Sequence, residues 1–254
     1  MNRTVCSLLA VASAAALVLG SDRVSGQAPA LPEVLKQSIA YYGTLTSYAD
    51  TGTVQWDSPG IVDREQFTTY FRRPTRDLLF DYQPLTSTNP GTKFTIDMSD
   101  YRAVIWMFKG NMERYDRKSR THEAVTSGQG GALQGLSTRT RGTSLLIPSL
   151  LYTQGGLSST ITQIESAQVV GTETINGRAC HKITGTAVMI LSGRRNNERP
   201  VTVWIDAESR LIRRVFEDTP KGMPGNNFSR LTITLDPRAN PTIEDARFQF
   251  KVPS

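Results

Sequence analysis

Two pairs of residues in this chain have side chains of a kind that could support catalysis. Asp206 and Glu208 lie in "VTVWIDAESRLIRRV" (201–215), and Cys180 is followed directly by His181. Two carboxyl groups that flank a substrate about 5 to 9 Å apart can hydrolyse a glycosidic bond. A thiol within reach of an imidazole can act as a nucleophile. Each pair therefore has a catalytic interpretation and a purely structural one.

The carboxylate pair is better explained as the turn of a hairpin. Residues 201–205 and 211–216 alternate in the manner of two strands, and "DAES" lies between them. An Asp at the start of a turn accepts hydrogen bonds from backbone N–H groups two residues further on. Two carboxyls on one solvated turn also lack the separation and the pKa contrast that glycoside chemistry needs. The sequence therefore predicts a turn.

The Cys–His pair is predicted to be structural for a similar reason. Neighbouring residues on a strand point to opposite faces, so His181 cannot take a proton from Cys180. The second histidine, His122, could meet Cys180 only through the fold. The residue spacings match no zinc site, phosphate loop or dinucleotide motif. We predict a protein without catalytic residues, metal or cofactor, and a hydrolase that uses His122 or Cys180 is kept as an alternative.

The N-terminal residues predict export. Arg3 is followed by the uncharged run "VCSLLAVASAAALVLG" and by small residues that suit cleavage after Ala28. A membrane anchor is the alternative, but the run is shorter than the roughly 20 residues that a span needs. We expect a signal peptide over 1–28, a periplasmic or secreted location and a single domain over 29–254.

The charge pattern narrows the class of partner. The formal net charge is +6, with Lys and Arg scattered along the chain. No basic helix or aromatic–basic platform is present, so nucleic-acid binding is not expected. Weak attraction to anionic surfaces, and hence peripheral contact with a membrane, is compatible with this charge.

Hydrophobic periodicity predicts an α+β fold. Residues 31–43 have helical spacing, and from Tyr48 onward the pattern changes to period two in about ten runs. Turn signals separate the runs, including Asn176-Gly177 and Lys109-Gly110. We therefore expect one antiparallel meander.

A Gly-rich stretch over 127–156 interrupts this pattern. It holds two apolar stretches, of which 143–152 favours a short helix disturbed by Pro148. A movable lid across the sheet and an ordinary packed crossover explain this segment equally well.

Several predicted strands are apolar on both faces, as in "AVIWMF" at 103–108. Either both faces pack in a core, or one face lines a cavity.

The order of the motifs resembles one known group of proteins. These motifs are the N-terminal helix, "SYADTGTV", "FRRPTRDLLFDY", "VIWMFKGNMERYD", "INGRACHKITGT", "VWIDAESRLIRRV" and "PTIEDARFQF". The chain is similar over 31–252 to the LolA/LolB-like superfamily of periplasmic lipoprotein-carrier-fold proteins, and more closely to a branch of secreted proteins with that fold.

The resemblance implies an unclosed, curved antiparallel half-barrel with the N-terminal helix and a helical lid (127–156, chiefly 132–153) on its concave face. It implies a monomeric carrier of a lipid or of the acyl chain of a lipoprotein; the alternative is an envelope protein–protein interaction or stress-sensing module. Arg72, Arg73 and Arg76 follow the second strand where the family has a basic "R-P-x-R" element. We expect the cavity to be lined by Trp56, Phe71, Phe80, Trp106, Trp204, Leu146 and Leu150.

Overall fold

The computed structural model describes residues 31–152, 157–191, 194–219 and 229–253. The predicted signal peptide lies outside the described residues, as do residues 153–156 of the predicted lid. In the described ranges, no helix combines the length and the apolar character needed to cross a bilayer.

Thirteen strands of the described residues form one antiparallel sheet. The sheet begins at β7 and ends at β8, in the order β7-β6-β5-β3-β2-β1-β12-β11-β10-β9-β8, with β4 added to β3 and β13 added to β1. It is therefore curved and unclosed, as predicted. The strands are β1 Ser47–Ser58, β2 Ile61–Arg72, β3 Asp77–Asn89, β4 Phe94–Asp97, β5 Ala103–Phe108, β6 Asn111–Asp116, β7 Thr121–Ala124, β8 Ile164–Ile175, β9 Arg178–Leu191, β10 Arg194–Asp206, β11 Ile212–Thr219, β12 Ser229–Leu235 and β13 Arg238–Ala239.

The strand count exceeds the prediction of about ten because the shortest strands carry little pattern. β7 and β13 are four and two residues long. Period-two alternation cannot be recognised over so few residues, and these strands form only because a longer neighbour is already in place.

In the described part of the chain, four α-helices lie against the sheet. They are α1 Glu33–Thr44, α2 Gly128–Leu136, α3 Thr143–Leu146 and α4 Pro148–Leu151. The predicted helix over 143–152 is thus divided into two single turns. Pro148 begins the second turn because it lacks the N–H that a continuous helix would need there. We call α2 to α4, with the residues that join them, the helical cover.

The predicted hairpin turns are confirmed. Asn176 and Gly177 join β8 to β9 with φ of 49° and 76°, and Lys109 and Gly110 join β5 to β6 with φ of 51° and 85°. Two successive positive φ values define the turn whose twist matches a β-hairpin, and Asn-Gly favours it.

The two faces of the sheet bury separate clusters. The main core lies between one face and the helices, and it includes Leu35, Phe71, Leu133, Leu150 and Ile233. Two smaller clusters lie on the other face, because adjacent strand residues alternate in direction. One consists of Leu79, Val104, Trp106 and Tyr115, and the other of Ile175, Cys180 and Trp204.

A carboxyl group is buried in the main core beside α1. Asp50 is 1% exposed. It accepts hydrogen bonds from the Tyr48 hydroxyl at 2.8 Å and from the Thr69 backbone N–H at 3.0 Å. Burial raises the pKa of Asp50 from 3.8 to about 6, although both hydrogen bonds act in the opposite direction.

This raised pKa predicts how stability depends on pH. The folded state holds the Asp50 proton more tightly than the unfolded chain does, so the contribution of Asp50 is greatest below pH 4 and is lost as the pH rises through about 6. One pKa unit corresponds to about 1.4 kcal/mol. The free energy of unfolding of Asp50→Asn is therefore expected to exceed that of the wild type by on the order of 3 kcal/mol at pH 7.5 and by little at pH 4. Urea denaturation at both pH values measures this difference. An equal effect at both would contradict the assignment.

Candidate functional site

A cavity of about 690 Å³ lies between the helical cover and the sheet. We call it the cover cavity. Its apolar walls come from both layers, since β1, β9 and β12 supply one side and α3 the other. The apolar lining residues are Trp56, Leu145, Leu146, Ala187, Val188, Leu231 and Ile233.

A second cavity of similar size adjoins the first. This side cavity is also about 690 Å³, and its lining includes Pro84, Met98 and Tyr101. Arg141 lines both cavities. The Arg141 side chain therefore forms part of the boundary between them.

Arg141 is held at this boundary by two carboxylates and a ring. Its Nη2 lies 2.5 Å from Oδ2 of Asp63, and its Nε donates to Oε1 of Glu65 at 2.8 Å. The guanidinium carbon lies 4.1 Å from the ring centroid of Trp56. The Tyr82 hydroxyl donates to the other oxygen of Glu65, and burial raises the Tyr82 pKa, so this hydroxyl stays protonated. Arg141 thus joins the helical cover to β1 and β2.

A second ion pair lies in the wall of the cover cavity. Nη1 of Arg199 lies 3.0 Å from Oε2 of Glu217, and the Thr160 hydroxyl donates to Oε1 of Glu217 at 2.6 Å. The Glu217 side chain is only 5% exposed. Both Arg199 and Glu217 line the cavity.

The two ion pairs belong to one row across the sheet. Glu217 pairs with Leu231, Leu231 with Trp56, and Trp56 with Asp63 in the strand register. Directly paired residues on neighbouring strands face the same side of a sheet. Charged groups therefore flank an apolar centre at one level of the concave face. We call this set of charged residues the polar girdle: Asp63, Glu65, Arg141, Arg199 and Glu217.

The residues predicted to line the cavity fall into three groups. Trp56 and Leu146 line the cover cavity. Phe71, Phe80 and Leu150 share its side of the sheet but are fully buried in the main core.

Trp106 and Trp204 lie on the opposite face, in the two smaller clusters. Each stands one residue from an inward-facing neighbour, Ile105 and Ile205 respectively. Alternation in sequence groups the residues of a strand by face but does not tell which face is concave.

The polar girdle was missed by the sequence analysis, although β2 contained a signal for part of it. Asp63 and Glu65 are in phase with Phe67 and Phe71, which the alternation of β2 already placed on one face. Charged residues in phase with an apolar face need partners when buried, and they mark a polar site. No local pattern indicates Arg141.

The pair Asp206 and Glu208 is confirmed as a turn. Oδ1 of Asp206 accepts the backbone N–H of Glu208 at 3.0 Å and that of Ser209 at 2.9 Å. Its Oδ2 lies 3.1 Å from Nε of Arg213. Burial acts to raise the pKa of Asp206, but these hydrogen bonds outweigh it and hold the pKa below its usual value. The Asp206 carboxylate is therefore engaged in contacts that hold the turn.

Cys180 and His122 also lie apart. Cys180 is fully buried in the Trp204 cluster, and burial raises the pKa of its thiol. His122 is on β7 at one edge of the sheet, whereas Cys180 is on β9 beside the other edge. Among the described residues, no cluster of three or more His, Cys, Asp or Glu side chains could hold a metal ion.

Arg73 connects the end of β2 to two helices. Its Nε donates to the Leu45 carbonyl at 2.8 Å, and its Nη2 donates to the Leu151 carbonyl. Leu45 caps α1 and Leu151 ends α4. Cations stabilise helix C-termini, where backbone carbonyls lack partners. Of the three arginines predicted from the "R-P-x-R" element, Arg73 thus contacts the helical cover through its side chain.

Arg73→Met is expected to loosen this connection. The substitution keeps an aliphatic stem of similar length but leaves two carbonyls without their donor, which costs about 1–3 kcal/mol. Hydrogen exchange at residues 145–151 should speed up more than exchange in β10. Arg64→Met, on the exposed face of β2, provides the control, and equal exchange in both variants would contradict the role of Arg73.

Part of the chain matches the model of a known protein family. Residues 142–240, which include the last two turns of the helical cover and all of strands β8 to β13, match the family model "LppX_LprAFG lipoprotein". No curated protein sequence matches the chain.

Several solved structures are similar at low identity. The lipoprotein LppX of Mycobacterium tuberculosis is 18% identical with a TM-score of 0.45, covering 83% of this chain and 95% of that one. LprF of Mycobacterium bovis is 14% identical with a TM-score of 0.45, covering 87% and 94%. A LolA superfamily protein of Nitrosomonas europaea is 8% identical with a TM-score of 0.31, covering 85% and 96%. Together with the unclosed sheet, the family match bears out the predicted LolA/LolB-like resemblance at the level of the fold.

Proposed function

We propose that this protein binds a lipid or an acylated ligand, as an exported, monomeric, non-enzymatic carrier whose single domain spans 29–254. The observation that carries the proposal is the cover cavity, with its apolar walls of Trp56, Leu146 and Ile233 between sheet and cover. Ligand sites typically measure about 300–1,000 Å³ and are mostly apolar, with a few polar groups.

Acyl chains supply the affinity in this proposal. Each buried methylene group contributes about 0.8 kcal/mol, so a chain that enters the cavity is retained without any charged contact. The side cavity adds space for a second chain. The helical cover then acts as a lid that keeps water from the bound chain.

The test is the lipid content of the protein as purified. The mature protein is exported, purified without detergent and extracted with organic solvent, and the extract is analysed by mass spectrometry. Near one lipid per protein, exchangeable with a fluorescent acyl probe, is expected. Ala187→Trp, which places an indole in the cavity wall, should lose the lipid, while Ala179→Trp on the exposed part of β9 should keep it. A clean extract without probe uptake would show that the space is unused.

A protein-interaction module is the second candidate. β8 is an edge strand, and Val169 and Val170 on it are 49% and 53% exposed. An extended segment of an envelope partner could add to such an edge. A stoichiometric partner that is lost from Val169→Lys and retained by Ala187→Trp would favour this function over lipid carriage.

A further inference from the structure

The polar girdle leaves hydrogen-bonding atoms unused in side chains that line the cavities. Oδ1 of Asp63, Oε2 of Glu217 and Nε of Arg199 are buried and have no hydrogen-bond partner. The Arg199–Glu217 contact of 3.0 Å is an ion pair without hydrogen-bond alignment at Oε2. A buried polar atom without a partner costs about 1–3 kcal/mol, so each of these acceptors and donors would gain from a ligand group that a small rotation of its side chain brings within reach.

The kinds of unused atom define the group that fits. Two are carboxylate oxygens, which accept, and one is a guanidinium N–H, which donates. A hydroxyl or an amide both donates and accepts, so it satisfies such a set. An ester only accepts hydrogen bonds, so it satisfies the guanidinium N–H and leaves both carboxylate oxygens without a partner.

The ion pairs already formed in the girdle disfavour an anion. Two guanidinium groups, of Arg141 and Arg199, face three carboxylates, of Asp63, Glu65 and Glu217. Each guanidinium already has a carboxylate within 3.0 Å. A fatty-acid carboxylate that binds either guanidinium group would have to displace its existing carboxylate partner.

We propose that the polar girdle binds the uncharged, hydroxyl- or amide-bearing group of an acyl lipid and selects such lipids over fatty-acid anions. This inference rests on the proposed function and specifies its ligand class. The row Glu217, Leu231, Trp56 and Asp63 places polar groups on both sides of an apolar centre. The ligand's polar group lies at this level, and its chains occupy the cavities.

The test is competition for a fluorescent acyl probe by three lipids with the same chain. Monolauroylglycerol has two hydroxyls, methyl laurate has only an ester, and laurate has an anionic carboxylate at pH 8. The wild type is expected to bind monolauroylglycerol about tenfold more tightly than laurate, with methyl laurate between them. Each lipid is used below its aggregation limit.

Glu217→Gln is the decisive variant. The substitution keeps the size of the side chain but leaves Arg199 without its counter-ion, so a charge-assisted bond to laurate becomes available. Laurate affinity should rise by about tenfold or more, and monolauroylglycerol affinity should change little. Asp63→Asn should shift the preference in the same direction, which provides a second test if Glu217→Gln folds poorly.

Glu113→Gln is the matched control. It also removes one carboxylate, but Glu113 pairs with His122 on the opposite face of the sheet. A preference that changes in neither girdle variant, or changes equally in this control, would overturn the inference while leaving lipid binding intact. Failure of all three lipids to displace the probe, together with a lipid-free extract, would overturn both proposals.

Discussion

A variant that keeps Trp56 as its only tryptophan is expected to lose most of its fluorescence when it binds a bromine-labelled acyl lipid. Bromine quenches an indole only at close contact, and Trp56 lines the cover cavity. The variant is Trp106→Phe combined with Trp204→Phe. Both substitutions keep an aromatic ring in the small clusters of the outer face, so the cavity is left unchanged.

The complementary variants are the controls. Proteins that keep only Trp106 or only Trp204 should bind the same lipid with unchanged emission, because both residues lie on the opposite face of the sheet. Each has Phe in place of Trp56, so binding is followed separately by displacement of the fluorescent probe. Strong quenching of Trp106 or Trp204 would place the lipid on the outer face and would refute the cover cavity as its site.

Gly52→Ala is expected to destabilise the protein by about 3 kcal/mol. A Cβ at Gly52 would lie 2.1 Å from Cζ of Phe67, its direct partner on β2. The Phe67 ring is 3% exposed and packs against Phe80 at 5.9 Å, so it has little room to move. Urea denaturation measures the loss. Gly135→Ala on the exposed face of α2 meets nothing within 4 Å and should be neutral or slightly stabilising.

A double variant tests whether the loss of stability comes from this clash with Phe67 or from a requirement for glycine in the backbone at position 52. Phe67→Leu removes the far end of the ring, so Gly52→Ala with Phe67→Leu should cost clearly less than the sum of the two single changes. Additive losses would mean that the backbone at Gly52, and not the ring of Phe67, requires glycine.

Features that depend on a few neighbouring residues were predictable. The Asp206 turn, the Asn176-Gly177 hairpin and the shared face of Phe67 and Phe71 all follow from side-chain chemistry and alternation within one strand or turn. Such signals need no partner from elsewhere in the chain, because the turn type and the period of two are set locally. The antiparallel sheet and the helix over 33–44 followed from the same patterns.

Which residues line the cavity was decided only by the tertiary structure. Alternation separates Trp204 from Ile205 but does not tell which of them faces the helices, and this depends on how the sheet curves. Arg141 meets Asp63 across 78 positions of the chain, and Glu217 meets Thr160 across 57. Contacts of that kind arise from strand register and from the path of the helical cover. The sequence by itself therefore determined a two-faced antiparallel sheet with an apolar interior, and the fold determined where the charged residues meet within it.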